Sequence, residues 1–250
     1  MRQPLVAGNW KLNGSLASTR ELLAGIKAGI AEVTRAEVAV CPPYILIPEA
    51  QAQLNGSPIA WGGQNLSAET GGAFTGEISA SMLLDFGCKY VLVGHSERRT
   101  LYGEDNALVA KKFAVAREAG LIPLLCVGET LEERQQGVTE RIVGDQLAAV
   151  IDREGVAALG DAVVAYEPVW AIGTGMTALP EQAQAVHAFI RAQVAQHDTA
   201  TAEGLRILYG GSMKPGNAEE LMAQSDIDGG LVGGAALKAD EFLAICKAAN

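Results

Sequence analysis

The chain lacks long hydrophobic runs, closely spaced cysteines and any excess of positive charge. No stretch approaches the ~20 apolar residues that a membrane-spanning helix or its anchor requires, so we expect a cytoplasmic protein without a membrane partner. The four cysteines lie far apart and form no CxxC pair, which predicts buried free thiols rather than disulfides or a zinc site. A formal net charge of -10 argues against a nucleic-acid partner, and an anionic substrate must therefore be attracted by local groups.

Linker-like, low-complexity and single-charge segments are also missing, so residues 1–250 are expected to form one domain. Eight short apolar runs recur along the chain, and each is continuous rather than alternating, as in strands buried on both faces. They are LVAGN (5–9), EVAVC (37–41), IAWGGQN (59–65), YVLVGH (90–95), IPLLCVGE (122–129), VVAYE (163–167), RILYGGS (206–212) and GGLVGG (229–234).

Helical patterns separate these runs, including one that opens with Pro180 and one that Gly120 stops. Strand–helix alternation requires parallel strands, and eight such units fit the size of a closed eight-stranded parallel (β/α)8 barrel of the α/β class. The alternative, a doubly wound open sheet, is disfavoured because the segment GNWKLNG after the first strand lacks the spacing of a dinucleotide-binding turn.

In a (β/α)8 barrel, the active site is built where the strands end. The sequence places polar or titratable residues there, namely Asn9, Lys11, Gln64, Asn65, His95, Glu129 and Glu167. A sequence selected for stability alone has no reason to place them so, and each is a candidate site residue.

Glu167 ends an apolar strand and precedes a segment whose first part has a rigid backbone and whose last part has a flexible one. A lone glutamate at a strand exit is usually only solvated, but residues 168–170 (PVW) are rigid and residues 173–175 (GTG) are flexible. This pattern predicts a lid that closes over the carboxylate. Closure would expel water and raise the basicity of Glu167, which makes this residue a candidate general base.

His95 and Lys11 are the other candidate catalytic groups. His95 follows a strand and starts a short predicted helix, whose N-terminus favours a neutral imidazole that donates to a carbonyl. His187 and His197 are expected on helix surfaces without a role. Lys11 is the only cation that the strand pattern places at this rim, and Glu97 is expected to be its ion-pair partner.

Glycines after the last two strands predict a phosphate site. Gly210, Gly211 and Ser212 follow the seventh strand, and Gly233 and Gly234 follow the eighth. Such turns are also typical of tight connections without a ligand, yet in barrels they expose backbone N–H groups to an anion. They would bind a phosphate without a cluster of lysines.

Six segments, in order and over the whole chain, resemble the triosephosphate isomerase family: AGNWKLNG, QNLSAETGGAFTGEIS, VGHSERR, AYEPVWAIGTG, YGGS and LVGGAAL. The resemblance implies a TIM barrel that interconverts dihydroxyacetone phosphate and D-glyceraldehyde 3-phosphate without metal or cofactor. It further implies that Glu167 is the base, that His95 is a neutral acid, and that Lys11 and Asn9 hold the substrate. Backbone phosphate contacts are implied for Gly173, Ser212, Gly233 and Gly234, and supporting roles for Ser96 and Glu97.

The loop at 65–79 is long and rich in glycine, and by itself it would be a flexible surface loop. In the family, the matching loop inserts into a partner subunit. The resemblance therefore implies a homodimer in which Thr75 lies near the partner's site.

Two residues at the end of the predicted lid depart from the family pattern. Met176 stands where a lysine is usual, and Leu179 stands where a Ser or Thr helix cap is common, at a local cost of ~1 kcal/mol. These departures bear on lid movement rather than on the chemistry.

Two other functions remain open from the residues. One is another phosphate-binding barrel enzyme, such as a sugar-phosphate epimerase or an indole-forming synthase. The other is a noncatalytic sugar-phosphate binding protein. An epimerase would need metal-ligating His and Asp residues at strand ends, and loss of catalysis would be expected to erase Glu167, His95 or Lys11.

Overall fold

The computed structural model describes residues 2–173 and 176–250, so Thr174 and Gly175 of the predicted lid lie outside the described residues. The described chain forms eight β-strands at the eight predicted places. They are β1 (Leu5–Asn9), β2 (Glu37–Cys41), β3 (Ile59–Gly63), β4 (Tyr90–Val93), β5 (Ile122–Val127), β6 (Val163–Tyr166), β7 (Arg206–Tyr209) and β8 (Gly229–Val232).

The strands form a closed parallel barrel in chain order, which confirms the predicted architecture. Each strand pairs with the next, and β8 returns to β1 with Leu5 opposite Gly229. From β3 onward the strands end before the final residues of the predicted runs, because glycine and polar residues there leave the sheet for the loops. Those loops carry the candidate site.

Eleven α-helices lie between or after the strands in the described residues. They are α1 (Leu16–Gly29), α2 (Ile47–Leu54), α3 (Ala80–Asp85), α4 (Ser96–Tyr102), α5 (Asn106–Ala119), α6 (Leu131–Gln135), α7 (Thr139–Glu154), α8 (Pro180–Ala195), α9 (Thr199–Gly204), α10 (Pro215–Met222) and α11 (Ala239–Lys247). As predicted, Pro180 opens α8, and Gly120 ends α5 with a left-handed φ of 98°. Within residues 2–173 and 176–250, no helix is both long and apolar enough to cross a membrane.

The core consists of a barrel interior and two outer layers between the sheet and the helices. Alternate strand residues divide between them, since Leu5 and Ala7 belong to the interior cluster while Val6 packs outward. All four cysteines are buried and free, as predicted. Burial raises the pKa of the Cys88 and Cys246 thiols to about 12, so these thiols are protonated at neutral pH.

Candidate active site

The loops after the strands enclose a cavity of about 550 Å³. Ten predicted site residues line it: Asn9, Lys11, His95, Glu167, Gly173, Gly210, Gly211, Ser212, Gly233 and Gly234. The other candidates do not line it, and they are Gln64, Asn65, Ser96, Glu97, Glu129 and Thr75, the last of which is exposed on the 65–79 loop. The barrel thus brings together strand-end residues that are up to 225 positions apart in the chain.

Glu167 is placed at the bottom of the cavity by β6 and is only 2% exposed. Its Oε2 accepts the Ser96 backbone N–H at 2.9 Å, and its Oε1 lies 2.9 Å from Nε2 of His95. The Ser96 hydroxyl lies farther away, at 3.4 Å from Oε1. These donors hold the carboxylate at the N-terminus of α4.

The donors also set the charge state of Glu167. Burial alone would raise the pKa of this carboxyl, but the charge and hydrogen bond of His95 and the Ser96 N–H lower it below its ordinary value. The expectation that closure of the lid raises the basicity of Glu167 concerns the closed lid and stays a prediction. Nearby donors outweigh the loss of water, and the carboxylate is ionised.

His95 is the N-cap residue of α4 and is itself buried. Its Nδ1 accepts the Glu97 backbone N–H at 3.2 Å, so this nitrogen carries a lone pair and the ring proton lies on Nε2. Burial lowers the pKa of His95, but the adjacent Glu167 carboxylate raises it, and the sum lies above the ordinary value. The Nε2–H group points to Glu167 and is available as a donor at the cavity wall.

Lys11 projects into the cavity from a strained backbone position. Its φ of 52° lies in the left-handed region, which no other described residue except glycine adopts. Asn9 accepts the Lys11 N–H through Oδ1 at 3.0 Å, and the Gln64 amide donates to the Lys11 carbonyl at 2.9 Å. Nζ of Lys11 lies 2.5 Å from Oε1 of Glu97, which confirms the predicted ion pair.

The predicted phosphate-binding groups line the same cavity, and a Cβ on Gly233 would lie 3.6 Å from the Lys11 side chain. Gly233 and Gly234 begin a short 3-10 helix after β8, and a Cβ on Gly234 would meet nothing within 4 Å. The Ser212 N–H donates to the carbonyl of Ala171, at the start of the predicted lid, at 3.1 Å. One of the expected phosphate donors is thus engaged with the lid segment in this arrangement.

Lys214 and Lys238 also line the cavity, although the strand pattern marked only Lys11 as a cation at this rim. Both follow the glycine turns after β7 and β8, several residues beyond the strand ends on which that prediction was based. Nζ of Lys238 lies 2.8 Å from Glu241. These lysines supply local positive charge to a chain whose net charge is -10.

Glu129 has a role that the sequence did not reveal. It is fully buried, and its Oε1 accepts the Tyr166 hydroxyl at 3.1 Å and the Trp170 indole N–H at 2.9 Å. The Arg134 guanidinium lies 3.3 Å from the same oxygen and 4.5 Å from the Trp170 ring centre. The carboxylate therefore anchors the first part of the lid segment to β5 and α6.

His187 is fully buried, and its predicted place on a helix surface is wrong. It lies on the inner face of α8, where its ring meets that of Tyr166 edge-on at 5.8 Å and its Nδ1 is 3.2 Å from the Asp226 carbonyl. Burial lowers its pKa to about 4. His197 is exposed, as expected.

Met176 and Leu179, the two residues that depart from the family pattern at the end of the lid segment, are both exposed. Leu179 occupies the N-cap position of α8 and offers no oxygen to the first helical N–H groups. Instead, the Gln182 side chain reaches back to the Leu179 N–H at 3.1 Å. In the described residues, no three His, Cys, Asp or Glu side chains come together to hold a metal ion.

Comparison with known proteins identifies the family of this chain. The family model described as triosephosphate isomerase matches residues 4–249. A triosephosphate isomerase from Dechloromonas aromatica is 63% identical over 250 residues, which cover 100% of both chains. One from Thiobacillus denitrificans is 64% identical over 249 residues, covering 100% of this chain and 99% of the relative. With barrel, cavity and relatives in agreement over its whole length, the chain belongs to the triosephosphate isomerase family.

Proposed function

We propose that this chain is a cytoplasmic, cofactor-independent isomerase that interconverts dihydroxyacetone phosphate and D-glyceraldehyde 3-phosphate through an enediolate. The observation that carries the proposal is the buried Glu167 carboxylate, 2.9 Å from Nε2 of His95 in a cavity that Lys11 also lines. Moving a proton between adjacent carbons requires a base on the carbon and a donor at the oxygen, and this pair supplies both.

In the proposed reaction, the ionised Glu167 takes the proton from the carbon next to the carbonyl. The electron pair of that C–H bond forms the C=C bond of the enediolate, and negative charge moves to the carbonyl oxygen. His95 Nε2–H and the Lys11 ammonium stabilise this oxygen, and His95 transfers a proton between the two oxygens. Glu167 then returns its proton to the neighbouring carbon, which completes the isomerisation.

His95 is suited to act as a neutral acid once Glu167 turns to the substrate. Burial, the largest cause and one that lowers the pKa of His95, then remains, whereas the Glu167 carboxylate that raises this pKa leaves the ring. The charges that stay act in opposite directions, since Glu97 raises the pKa and Lys11 lowers it. The Glu97 N–H continues to occupy Nδ1 and keeps the proton on Nε2. The same arrangement orients the donor without a rearrangement of the ring.

The phosphate is proposed to lie against Gly173, Ser212, Gly233 and Gly234. Backbone N–H groups bind a dianion without competing counter-ions, and Lys11 contributes the nearest charge. A shut lid would exclude water from the enediolate phosphate, which otherwise loses its phosphate by elimination.

A homodimer built through the 65–79 loop is proposed as the active form. The Ser67 N–H donates to the Ile78 carbonyl at 2.7 Å and closes the base of the loop, which presents Phe74 and Thr75 to solvent. Leu12 and Ile45 are 96% and 83% exposed, an unusual state for large apolar side chains. A second copy that covers them would bring Thr75 to the neighbouring site.

The test is conversion of D-glyceraldehyde 3-phosphate to dihydroxyacetone phosphate in excess chelator, with Glu167→Gln alongside. We expect fast turnover that chelator does not affect and a loss of at least about 10³-fold in the variant. Turnover that chelator abolishes would favour a metal-dependent epimerase-like barrel. Binding of the triose phosphate without turnover would favour the noncatalytic alternative.

A further inference from the structure

Gln146 is a buried amide that the proposed mechanism does not use. It lies on α7, outside the barrel, and both ends of its side chain bind the backbone of Gly128, just after β5. The Gly128 N–H donates to Oε1 of Gln146 at 2.7 Å, and Nε2 of Gln146 donates to the Gly128 carbonyl at 3.0 Å. One side chain thus satisfies both polar groups of a single residue, as a neighbouring strand would.

Gly128 in turn lies against the backbone of Glu167. A Cβ on Gly128 would fall 1.8 Å from the Glu167 carbonyl oxygen and 2.6 Å from its carbon, so no larger residue fits. The residues on either side continue the contact, since the Glu167 N–H donates to Val127 O at 2.7 Å and the Val169 N–H donates to Glu129 O at 3.1 Å. Segment 127–129 therefore runs alongside segment 167–169 beyond the formal end of the sheet.

This contact links Gln146 to the base without access to the substrate. Gln146 lines a second cavity of about 250 Å³, which shares Glu167 with the substrate cavity but none of the other cavity-lining residues named above. A group in this position can affect the reaction only indirectly, through the Gly128 peptide and the 167–169 segment that lies against it.

We propose that Gln146 is a positioning residue for Glu167: its amide fixes the Gly128 peptide, against which the backbone of the base is set. The inference rests on the proposed isomerase activity. A base that must reach a carbon proton tolerates little displacement, and a shift of about 1 Å can lower the rate about 100-fold. Of the proposed phosphate groups, Gly233 and Gly234 lie on the loop after β8, away from this contact, whereas Gly173 lies on the same loop as Glu167. A displacement confined to Glu167 therefore leaves phosphate binding unchanged, whereas a shift of the whole loop alters both.

Gln184 provides a matched control. Its side chain also binds one residue twice, because its Nε2 donates to Oδ2 of Asp226 at 2.6 Å and its Oε1 accepts the Asp226 N–H at 3.0 Å. Asp226 precedes β8, at the end of the barrel opposite the substrate cavity. Loss of this amide removes similar hydrogen bonds but leaves the surroundings of Glu167 intact.

The experiment compares Gln146→Met, Gln146→Glu and Gln184→Met with the wild-type protein. Glutamate retains the acceptor for the Gly128 N–H but loses the donor to its carbonyl, in a nearly unchanged shape, so it serves if the methionine variant does not fold. The measurements are kcat, KM, inhibition by inorganic phosphate as a probe of the phosphate-binding groups, and the urea midpoint of unfolding.

We expect kcat to fall about 10- to 100-fold in Gln146→Met, with a smaller fall in Gln146→Glu. KM and phosphate inhibition should stay within about twofold, and Gln184→Met should keep its kcat at a comparable loss of stability. The positioning role is overturned if kcat is unchanged in a folded Gln146 variant, or if kcat falls equally in Gln184→Met. In either case, turnover by the wild-type protein still supports the proposed isomerase activity. No turnover by the folded wild-type protein overturns both.

Discussion

The backbone N–H of Ser96 and the carboxylate of Glu167 form a hydrogen bond of 2.9 Å that holds the proposed base at the first turn of α4. This bond is one of the causes that lower the pKa of Glu167. The N–H that fixes the position of the carboxylate therefore also favours its charged form. The bond predicts a specific pH effect.

Ser96→Pro should move the acidic limb of the kcat/KM profile to higher pH. Ser96 is the first residue of α4, where proline is tolerated, and the change removes the N–H that stabilises the charged form of Glu167 together with the more distant hydroxyl. Its pKa rises, and the base becomes protonated at a higher pH than in the wild-type protein. Ser96→Ala keeps the N–H and should leave the limb in place; a shift of equal size in both variants would contradict this reading.

His187 should make folding stability depend on pH. Its pKa is about 4 in the folded chain and 6.5 for an unperturbed histidine, so below pH 6.5 the unfolded chain binds a proton that the folded chain does not. The free energy of unfolding should therefore decrease as the pH is lowered from 6.5 to about 4, by up to about 3 kcal/mol in total.

Urea unfolding at fixed protein concentration, at pH values from about 4.5 to about 7.5, measures this dependence. His187→Gln should flatten the slope over this range, whereas the exposed His197→Gln should not change it. An unchanged slope in His187→Gln would assign the pH dependence to other groups.

Lys238 should speed capture of the anionic substrate. It lies at the rim of the cavity and is largely exposed, so its charge acts through the field around the entrance. Lys238→Met is expected to lower kcat/KM about two- to fivefold at low salt and to weaken its dependence on ionic strength. Lys247→Met is the control, because Lys247 also pairs with a glutamate, Glu32, but does not line the cavity. An equal decrease of kcat/KM in the two variants would mean that the net charge of the protein, and not the position of Lys238, controls substrate capture.

Leu179→Ser should stabilise the protein. The N-cap position of α8 has no side-chain acceptor, and serine would supply one for a backbone N–H of the first turn while removing an exposed apolar side chain. The expected gain is about 0.5–1 kcal/mol in the free energy of unfolding, measured by urea denaturation. Leu179→Ala removes the same side chain without adding a cap, so a gain as large in that variant would exclude capping as its cause.

Phe74→Asp should dissociate the proposed dimer. Phe74 lies on the 65–79 loop and is 47% exposed, and a charge there would be buried against the partner subunit. Light scattering should show a dimer for the wild-type protein and a monomer with much reduced activity for the variant. Leu131→Asp, at a similarly exposed leucine on α6, should remain dimeric. A wild-type monomer with full activity would refute the proposed assembly.

The strands and most cavity residues were predictable because a closed parallel barrel imposes simple rules on sequence. Its strands are buried on both faces and read as apolar runs, and its site residues follow them directly. Asn9, His95 and Glu167 are therefore marked by position alone. The Lys11–Glu97 pair was also predictable, since each residue follows an identifiable strand.

Other features depend on contacts between distant segments and have no local signal. The helical period of α8 marks an apolar stripe, but the burial of His187 follows from the Tyr166 ring and Asp226 carbonyl on separate elements. Lys214 and Lys238 reach the cavity through the course of loops beyond the strands. The lowered pKa of Glu167 depends on donors 71 or more positions away in the chain, which composition around the glutamate cannot reveal.

The hydrogen bond from Ser212 N–H to Ala171 O has a thermodynamic consequence. One N–H cannot make a well-aligned bond to the lid carbonyl and to a phosphate oxygen at once, so the resting lid contact and the proposed phosphate contact compete. By linkage, whatever strengthens one weakens the other by the same factor. A phosphate that bound the Ser212 N–H would therefore break its hydrogen bond to Ala171 and release the lid segment. A substrate without a phosphate would leave this hydrogen bond intact.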